Sequence, residues 1–143
     1  MINVALFGFG RIGQMHAENL TKNKEIKLLY VYDKIDQLSS KAKKLYGCKI
    51  EKNYNKIFND KKVDIVFISS PTNTHIKFIE EGIKRKKTIF CEKPLDLNIN
   101  KIIKTLKKVK KLKPKIQLGF NRRYDPGHFS LKKDLDKNKI GKL

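Results

Sequence analysis

Three glycines near the start of the chain constrain its fold more than any other feature of the sequence. Gly8, Gly10 and Gly13 form the pattern G-x-G-x-x-G directly after the apolar run Val4–Phe7, and a helix-like segment follows. The first glycine permits a tight strand-to-helix turn, the second permits close approach of a pyrophosphate, and the third permits close packing of helix on strand. The pattern therefore predicts a helix N-terminus that binds a dinucleotide. Candidate cofactor-binding residues of this turn are Gly8, Phe9, Gly10, Arg11, Ile12 and Gly13.

An acidic residue stands where the dinucleotide fingerprint requires one. The second apolar run, Ile26–Tyr32, ends in Asp33, which follows Gly13 by about 20 residues. A carboxylate at this place can accept hydrogen bonds from both ribose hydroxyls of NAD, and it would repel the 2′-phosphate of NADP. The sequence therefore predicts NAD as the cofactor, with Asp33 in its site. The alternative is an ordinary cluster of turn glycines with a surface aspartate.

The charge of the chain is extreme, and its distribution decides how it is interpreted. The formal net charge is +20, and the basic residues comprise 30 Lys and only 4 Arg. The lysines are spread along the whole chain, mainly at positions that face outward on helices. Arg is the residue preferred for contacts to bases and phosphates, so its scarcity favours a solvated lysine surface over a specific nucleic-acid site. Such a surface still attracts nucleotides and other anions without specificity.

The cysteines and the uncharged segments exclude several classes of protein. Cys48 and Cys91 lie far apart and form no C-x-x-C pair, so neither a disulfide framework nor a metal site is predicted. The longest uncharged run, Ile65–Ile76, is too short to span a bilayer. Met1–Asn3 leads straight into the first strand and leaves no room for a signal peptide. We expect a reduced, cytoplasmic chain without a membrane segment.

Apolar runs alternate with amphipathic segments along the whole chain. The predicted strands are Val4–Phe7, Ile26–Tyr32, Cys48–Ile50, Val63–Ser69, Thr88–Cys91 and Lys115–Phe120. Strands this continuously apolar are typical of parallel sheets buried on both faces. Six of them with intervening helices predict an α/β fold, a doubly wound Rossmann sheet of strand order 3-2-1-4-5-6.

The helix after Asn98 and the end of the chain carry two further expectations. Asn98 is predicted to cap a long helix, and the helical spacing of its apolar residues predicts the burial of Ile99, Ile102, Ile103, Leu106 and Val109. The predicted organisation is a dinucleotide-binding domain over residues 1–120 and a truncated extension over 121–143. That extension consists of a polar loop and one helix.

Two turns follow neighbouring strands at the edge where open α/β sheets bind ligands. The turn Ser70–His75 comes after the fourth strand and the turn Glu92–Pro94 after the fifth. Thr72, Asn73 and His75 either face the nicotinamide half of a dinucleotide or cap and fill the first turn of the next helix, and both interpretations stay open. Candidate cofactor-binding residues here are Ser70, Pro71, Thr72, Asn73, His75 and Glu92.

Lys93 is set apart from the other lysines by its position, because it ends a buried strand and is followed by Pro94. Oxidation of an alcohol by NAD removes a hydride from carbon and a proton from oxygen. An ammonium group beside the hydroxyl can stabilise the developing alkoxide or relay its proton, so we predict that Lys93 is catalytic.

His16 follows Gly13 by three residues on one helix face, which favours a structural role over a ligand role. We expect His128 on a surface helix and Cys91 in the core.

Four motifs together resemble the Gfo/Idh/MocA oxidoreductase family, and within it the inositol 2-dehydrogenases. They are Gly8–Gly13 with His16, Thr72–His75, Glu92–Pro94 and Gly119–Pro126, and they cover essentially the whole chain in family order. The resemblance implies an NAD-dependent dehydrogenase for a cyclic polyol or sugar, with Lys93 as the lysine of the E-K-P motif before a cis proline. It also implies substrate contacts where the Rossmann unit meets a second domain, at Asn121, Arg122, Arg123 and Tyr124.

The chain departs from the family pattern after these motifs. Family members continue into a domain with an open antiparallel sheet, which supplies an Asp and a His for catalysis and forms the oligomer interface. We therefore expect residues 121–143 to be the linker and first helix of a missing or truncated domain, and a homo-oligomer only where that domain is present. A fragment, a split protein and a degenerate product remain alternatives.

Three functions remain open from the sequence. The first is the cofactor-binding part of a polyol dehydrogenase, the second is a non-catalytic NAD-sensing or scaffold domain, and the third is a basic protein associated with nucleic acid.

Overall fold

Parallel strands form the centre of the structure, a computed structural model that describes residues 1–139 and 141. The strands are β1 (Ile2–Phe7), β2 (Ile26–Tyr32), β3 (Lys49–Ile50), β4 (Ile65–Ile68), β5 (Thr88–Cys91) and β6 (Ile116–Leu118). They form one sheet in the order β3-β2-β1-β4-β5-β6, and every pair in it is parallel. The predicted doubly wound topology is confirmed, and the chain reverses its direction of winding between β1 and β4.

Helices connect the strands, as the alternating pattern predicts. They are α1 (Arg11–Lys22), α2 (Asp36–Tyr46), α3 (Tyr54–Asn59), α4 (His75–Lys84), α5 (Ile99–Leu112) and α6 (Pro126–Asp136). Short 3₁₀ turns cover Thr72–Thr74 and Asn121–Tyr124. The Asn98 side chain caps α5 by accepting from two backbone N–H groups, so this predicted helix boundary is confirmed. Gly47, in the left-handed conformation, ends α2.

The core lies on both faces of β1, the central strand. Its residues alternate between the two faces, as a strand must: Ala5 and Phe7 belong to one hydrophobic cluster, and Val4 and Leu6 belong to the other. In the first cluster the Phe7 ring lies 5.0 Å from Phe58 and 4.9 Å from Phe78, measured between ring centroids. Burial on both faces fixes the strand, and it thereby fixes the edge of the sheet at which Gly8 begins the first turn.

Helix α5 corrects one prediction. Three residues that the periodicity assigned to the core are exposed, with Ile99 at 63%, Ile103 at 46% and Leu106 at 50%. Ile102 and Val109 are half-buried, and the buried side chain of this helix is Thr105. The spacing of apolar residues predicts which face of a helix is apolar. Burial of that face depends on which other elements pack against it. The main partner of α5 is α4, which covers only a narrow stripe of it.

The contact between α1 and the first turn generates a stability prediction for Gly13→Ala. A Cβ on Gly13 would collide with the carbonyl oxygen of Gly8 and lie 3.1 Å from Ser69 Oγ, whereas a Cβ on Gly10 would meet nothing within 4 Å. We expect Gly13→Ala to lower the free energy of unfolding by about 3 kcal/mol, because backbone cannot move aside as a flexible side chain can. Gly10→Ala is the matched control and is expected to cost less than about 1 kcal/mol.

Urea unfolding of both variants and the wild type measures the difference. Equal stability of the two variants would contradict the packing role of Gly13.

Candidate functional site

The first turn and the fourth strand approach each other at the carboxyl edge of the sheet. Gly8 has a φ of +93°, and a Cβ there would lie 2.5 Å from the backbone N and Cα atoms of Ser70. The Gly8 N–H donates to the Tyr32 carbonyl over 2.8 Å. Gly8 therefore adopts a conformation and a proximity that only glycine permits, and the turns after β1, β2 and β4 meet at one place.

The N-terminus of α1 faces this edge without a side-chain cap. Its N-cap residue is Gly10, which forms no side-chain hydrogen bond, and the first N–H groups of any helix lack intrahelical partners. The space beyond the Gly10 Cα is open. Phe9 differs from its neighbours because its ring is fully buried in the core, so only its backbone can act in a site. Arg11 is exposed.

The Asp33 carboxylate is fixed by backbone N–H groups on both sides. Its Oδ2 atom accepts from Phe9 N over 2.7 Å, and its Oδ1 atom accepts from Ile35 N over 2.8 Å. An ionised carboxylate offers about four acceptor sites, so each oxygen keeps capacity for a further donor. The carboxylate is thus oriented before any ligand arrives, and it is attached directly to the glycine turn.

Three cavities follow one another along this edge and share walls. The Asp33 cavity measures about 350 Å³ and is lined by Gly8, Tyr32, Asp33, Ile35, Pro71 and Phe78, among others. The Thr72 cavity measures about 340 Å³ and is lined by Ile12, Met15, Ser70, Thr72, Glu92 and Lys93, among others. The Arg123 cavity measures about 630 Å³ and is lined by Lys93, Phe120, Asn121, Arg122 and Arg123.

Shared residues make these cavities adjoining spaces. Ser70 and Pro71 line both the Asp33 cavity and the Thr72 cavity. Lys93 and Asn121 line both the Thr72 cavity and the Arg123 cavity. Most of the predicted cofactor and substrate candidates therefore face adjoining cavities, and Lys93 lies at the junction of the second and third cavities. The exceptions, which line none of the three, are Phe9, Gly10, Arg11, Gly13 and Tyr124.

The turn after β4 is held by its own hydroxyl groups and by His75. Ser70 Oγ and Thr74 Oγ1 are 2.6 Å apart, and Thr74 Oγ1 donates to the Pro71 carbonyl over 2.7 Å. His75 is only 2% exposed; its Nε2 atom lies 2.7 Å from the Ser70 carbonyl oxygen and its Nδ1 atom 2.9 Å from that of Pro94. The imidazole therefore joins this turn to the turn after β5.

The two interpretations of this turn can now be compared residue by residue. Thr74 is the N-cap residue of α4, but no side chain forms a capping hydrogen bond there. Thr72 and His75 line the Thr72 cavity, and Asn73 lines the Asp33 cavity. The described geometry thus directs Thr72 and Asn73 towards the cavities, while both ring nitrogens of His75 contact protein carbonyl groups.

The loop after β5 carries Lys93 on a fixed backbone. The Lys93–Pro94 peptide is cis, as the family resemblance implies. The neighbouring Glu92 has a half-buried carboxylate, whose Oε1 atom lies 2.7 Å from His16 Nε2 and whose Oε2 atom accepts from Lys93 N over 3.2 Å. This contact favours the structural role expected for His16. The Lys93 side chain itself is exposed.

Beyond β6, the predicted substrate residues divide into two groups. Asn121, Arg122 and Arg123 line the Arg123 cavity beside Lys93. Tyr124 is 75% exposed, and its hydroxyl lies 3.5 Å from Gln117 Nε2.

Asp125 caps α6 and accepts from both the backbone N and Nδ1 of His128. These contacts hold the pKa of the Asp125 carboxyl at about 2, and they place His128 on the surface, as predicted.

Several lining residues were not predicted from the sequence. Tyr32, Ile35 and Phe78 form apolar walls of the Asp33 cavity, and Met15 lines the Thr72 cavity. Phe78 follows His75 by three residues on α4, so it shares a helix face with a predicted site residue. Ile35 is an apolar residue two positions after Asp33 that stays 56% exposed. Phe78 and Ile35 could therefore have been predicted from the sequence pattern, whereas nothing in the sequence indicates Met15.

Residues 1–139 and 141 also bear on two further classes of site. That part of the chain contains no cluster of three or more His, Cys, Asp or Glu side chains that could hold a metal ion. Within the same residues, no helix combines the length and the apolar character needed to cross a membrane.

Comparison with known proteins places the chain in a family. A family model, GFO_IDH_MocA, described as an oxidoreductase family with an NAD-binding Rossmann fold, matches residues 2–120. The chain belongs to this family, and the predicted resemblance is confirmed.

Similar proteins include several inositol dehydrogenases. The chain is 35% identical over 142 residues to the inositol 2-dehydrogenase of Rhizobium meliloti, covering 99% of this chain and 43% of that protein. It is 36% identical over 143 residues to the myo-inositol 2-dehydrogenase of Thermotoga maritima, covering 99% and 42%. The scyllo-inositol dehydrogenase of Lactobacillus casei, solved with bound NAD(H) and scyllo-inositol, superposes with a TM-score of 0.91 at 33% identity, covering 99% and 42%. The chain thus spans less than half the length of these relatives.

Burial of the thiols generates a prediction about their reactivity. Burial raises the pKa of the Cys91 thiol to about 12 and also raises the pKa of Cys48. Because the thiolate is the reactive form, and both groups remain protonated near neutral pH, we expect Ellman's reagent to label the native chain at least about 100-fold more slowly than the unfolded chain at pH 8.

The unfolded chain in guanidinium is the control, and both thiols should react there. Fast labelling of one thiol in the native chain would contradict its burial.

Proposed function

We propose that this chain is the NAD-binding part of a dehydrogenase that oxidises a secondary alcohol of a cyclic polyol, of the inositol type. One observation carries the proposal. Lys93 lies where the Thr72 cavity, continuous with the glycine turn, meets the Arg123 cavity. A group at that junction can touch both a cofactor on one side and a substrate on the other.

The residues present fit a dinucleotide. The uncapped N-terminus of α1 and the open space at Gly10 suit a pyrophosphate, since helix N–H groups and the helix dipole both favour an anion. The fixed carboxylate of Asp33 suits the ribose hydroxyls, and the apolar walls at Ile35 and Phe78 suit an adenine ring. Thr72 lies towards the nicotinamide half. NAD, when bound, supplies the hydride acceptor of the reaction.

Lys93 then acts on the alcohol. Its ammonium group would stabilise the alkoxide that develops on the substrate oxygen, or its neutral amine form would accept the hydroxyl proton and release it to water. Asn121, Arg122 and Arg123 surround the same cavity, and their N–H groups suit the hydroxyls of a polyol. A few well-placed polar groups of this kind orient small ligands in proteins.

The comparison with these relatives supports the proposed substrate class and the proposed organisation of the chain. The relatives named above are myo-inositol and scyllo-inositol dehydrogenases, which supports a cyclic polyol as substrate. Residues 121–143 are proposed as the linker and first helix of a second domain, whose presence would also permit a homo-oligomer. The apolar side chains of Phe129 and Leu131 are exposed on α6, which supports this assignment.

We place the protein in the cytoplasm, because both cysteines are free and buried.

A second candidate function is a non-catalytic NAD-binding domain. The size of the Arg123 cavity favours this candidate. The cavity measures about 630 Å³ and has the exposed Phe120 on one wall, so it encloses a small polyol poorly. Both candidates require the dinucleotide site, and they differ in turnover alone. Binding of nucleic acid would instead depend on the lysine surface and leave Asp33 without a role.

Cofactor binding is tested by titration of the purified chain with NADH and with NADPH, followed by fluorescence. We expect NADH to bind at least tenfold more tightly than NADPH, and Asp33→Ala to weaken NADH binding by about 10- to 100-fold, since hydrogen bonds to a charged group contribute about 1.5–3 kcal/mol.

Asp36→Ala is the matched control, because it removes the same charge from an exposed position nearby and should leave the affinity unchanged. Equal binding of both cofactors that disappears at high salt in every variant would mean attraction of anions to the lysine surface, and it would overturn the proposal.

Turnover is tested with the second domain restored, by joining residues 1–143 to that domain of a family member and following NAD reduction with myo-inositol and with scyllo-inositol. We expect Lys93→Met to lower kcat by about 10²- to 10⁴-fold, as the loss of a proton-transfer group does, while NADH affinity stays within about twofold. Tight NADH binding by the joined protein with no turnover of any polyol would favour the non-catalytic candidate.

A further inference from the structure

A side-chain pair links helix α1 to the loop that carries Lys93. His16 Nε2 and Glu92 Oε1 are 2.7 Å apart, and the two side chains are only 16% and 18% exposed. The His16 ring also packs against two aromatic rings of the sheet, with centroid distances of 4.6 Å to Phe67 and 5.8 Å to Phe90. The imidazole is therefore held in one orientation by packing, and its nitrogen is directed at the carboxylate.

We propose that His16 and Glu92 are positioning residues, which fix the backbone of Lys93 relative to the N-terminus of α1. The inference rests on the proposed function, because it assigns the pyrophosphate to that helix end and the reacting hydroxyl to Lys93. It also gives Glu92, predicted above as a cofactor contact, a different task.

Helix α1 is attached to the sheet at two successive turns. Gly13 packs directly on the Gly8 carbonyl group at the end of β1. His16 follows by three residues and so lies on the same helix face, where it reaches the end of β5 through Glu92. Neither attachment point can shift alone, and the start of α1 therefore has a fixed distance from the loop after β5.

The Glu92 carboxylate uses both oxygens on protein groups. One oxygen meets His16, and the other accepts from the Lys93 backbone N–H over 3.2 Å. A Cβ on Gly119 would lie 3.2 Å from Glu92 Oε1, so the chain after β6 encloses the carboxylate from a third side. Because the Glu92 carboxylate is enclosed and both of its oxygens contact protein groups, it is suited to holding the loop in place.

The other side of Lys93 is held by a second histidine. His75 Nδ1 lies 2.9 Å from the Pro94 carbonyl oxygen, and its Nε2 atom lies 2.7 Å from that of Ser70. The residues before and after Lys93 are thus each tied to a helix, to α1 through His16 and to α4 through His75. The Lys93 side chain alone remains free to move.

Such a restraint matters for catalysis because rate depends steeply on geometry. Misplacement of a reacting group by about 1 Å can cost about 100-fold in rate. In this fold the cofactor site and the catalytic ammonium come from different strands, and the His16–Glu92 pair is the side-chain link between α1 and the Lys93 loop.

Two substitutions of His16 separate positioning from packing. His16→Met keeps an apolar side chain of similar length and removes the contact with Glu92, whereas His16→Gln supplies a side-chain N–H at a comparable reach. His128→Met is the matched control, since His128 is an exposed histidine on α6. The readouts are amide hydrogen exchange at Lys93 and the change of its backbone NMR signal when NADH is added.

We expect His16→Met to speed exchange at the Lys93 amide by about tenfold, the equivalent of one lost hydrogen bond. NADH should shift the Lys93 signal in the wild type and in His16→Gln, and much less in His16→Met. His16→Gln should restore exchange to within about threefold of the wild type, a rescue that packing alone would not produce. His128→Met should match the wild type throughout.

The outcomes separate this inference from the proposed function. Exchange and NADH response in His16→Met equal to those of the wild type would overturn the inference. A wild type that binds no NADH would overturn the proposed function, and exchange at Lys93 would still decide the positioning role.

Should His16→Met fail to fold, Glu92→Leu gives the second test. Its side chain is apolar and offers no acceptor to His16 or to Lys93 N. Faster exchange at Lys93 is expected in this variant, and unchanged exchange would again overturn the inference.

Discussion

The absence of two Cβ atoms determines where everything at the ligand-binding edge lies. Gly8 and Gly13 let the turn after β1, the start of α1 and the end of β4 come into backbone contact, at separations that no other residue would tolerate. The α1 N-terminus, the Asp33 carboxylate and the Ser70 turn are all placed by that contact. Hydrophobic burial of β1 on both faces supplies the stability, and the glycines determine what is presented at the strand end.

Asp33 combines a structural role with the ligand role proposed for it. Its two oxygens accept from Phe9 N and Ile35 N, so the carboxylate stabilises the turns on both sides of the dinucleotide site. The same hydrogen bonds fix its orientation before binding, which reduces the ordering cost that a ligand must overcome. Under the proposed function, loss of this residue acts both on the local structure and on the affinity for NADH, and Asp36→Ala controls for the loss of charge alone.

The sequence predicted what depends on local pattern and missed what depends on distant pairing. The strands, the glycine turn and the place of Asp33 follow from periodicity and from a fingerprint within one βαβ unit. The strand order was predicted although it is long-range, because the handedness of crossover connections leaves few arrangements. The exposure of Ile103 and Leu106 could not be foreseen, because an apolar helix face does not state what covers it. The contact of His16 with Glu92 spans 76 positions of sequence, and only the folded sheet brings β5 beside α1.

Lys93 illustrates how a common residue becomes a special one. The chain contains 30 lysines, and most lie on solvated helix faces with an exposed side chain. At Lys93 the side chain is also exposed, but the preceding residue is held by His16 and the following residue by His75. The distinction lies in the restrained backbone rather than in the ammonium group. A fixed attachment point limits where that charge can travel, and two neighbouring cavities lie within its reach.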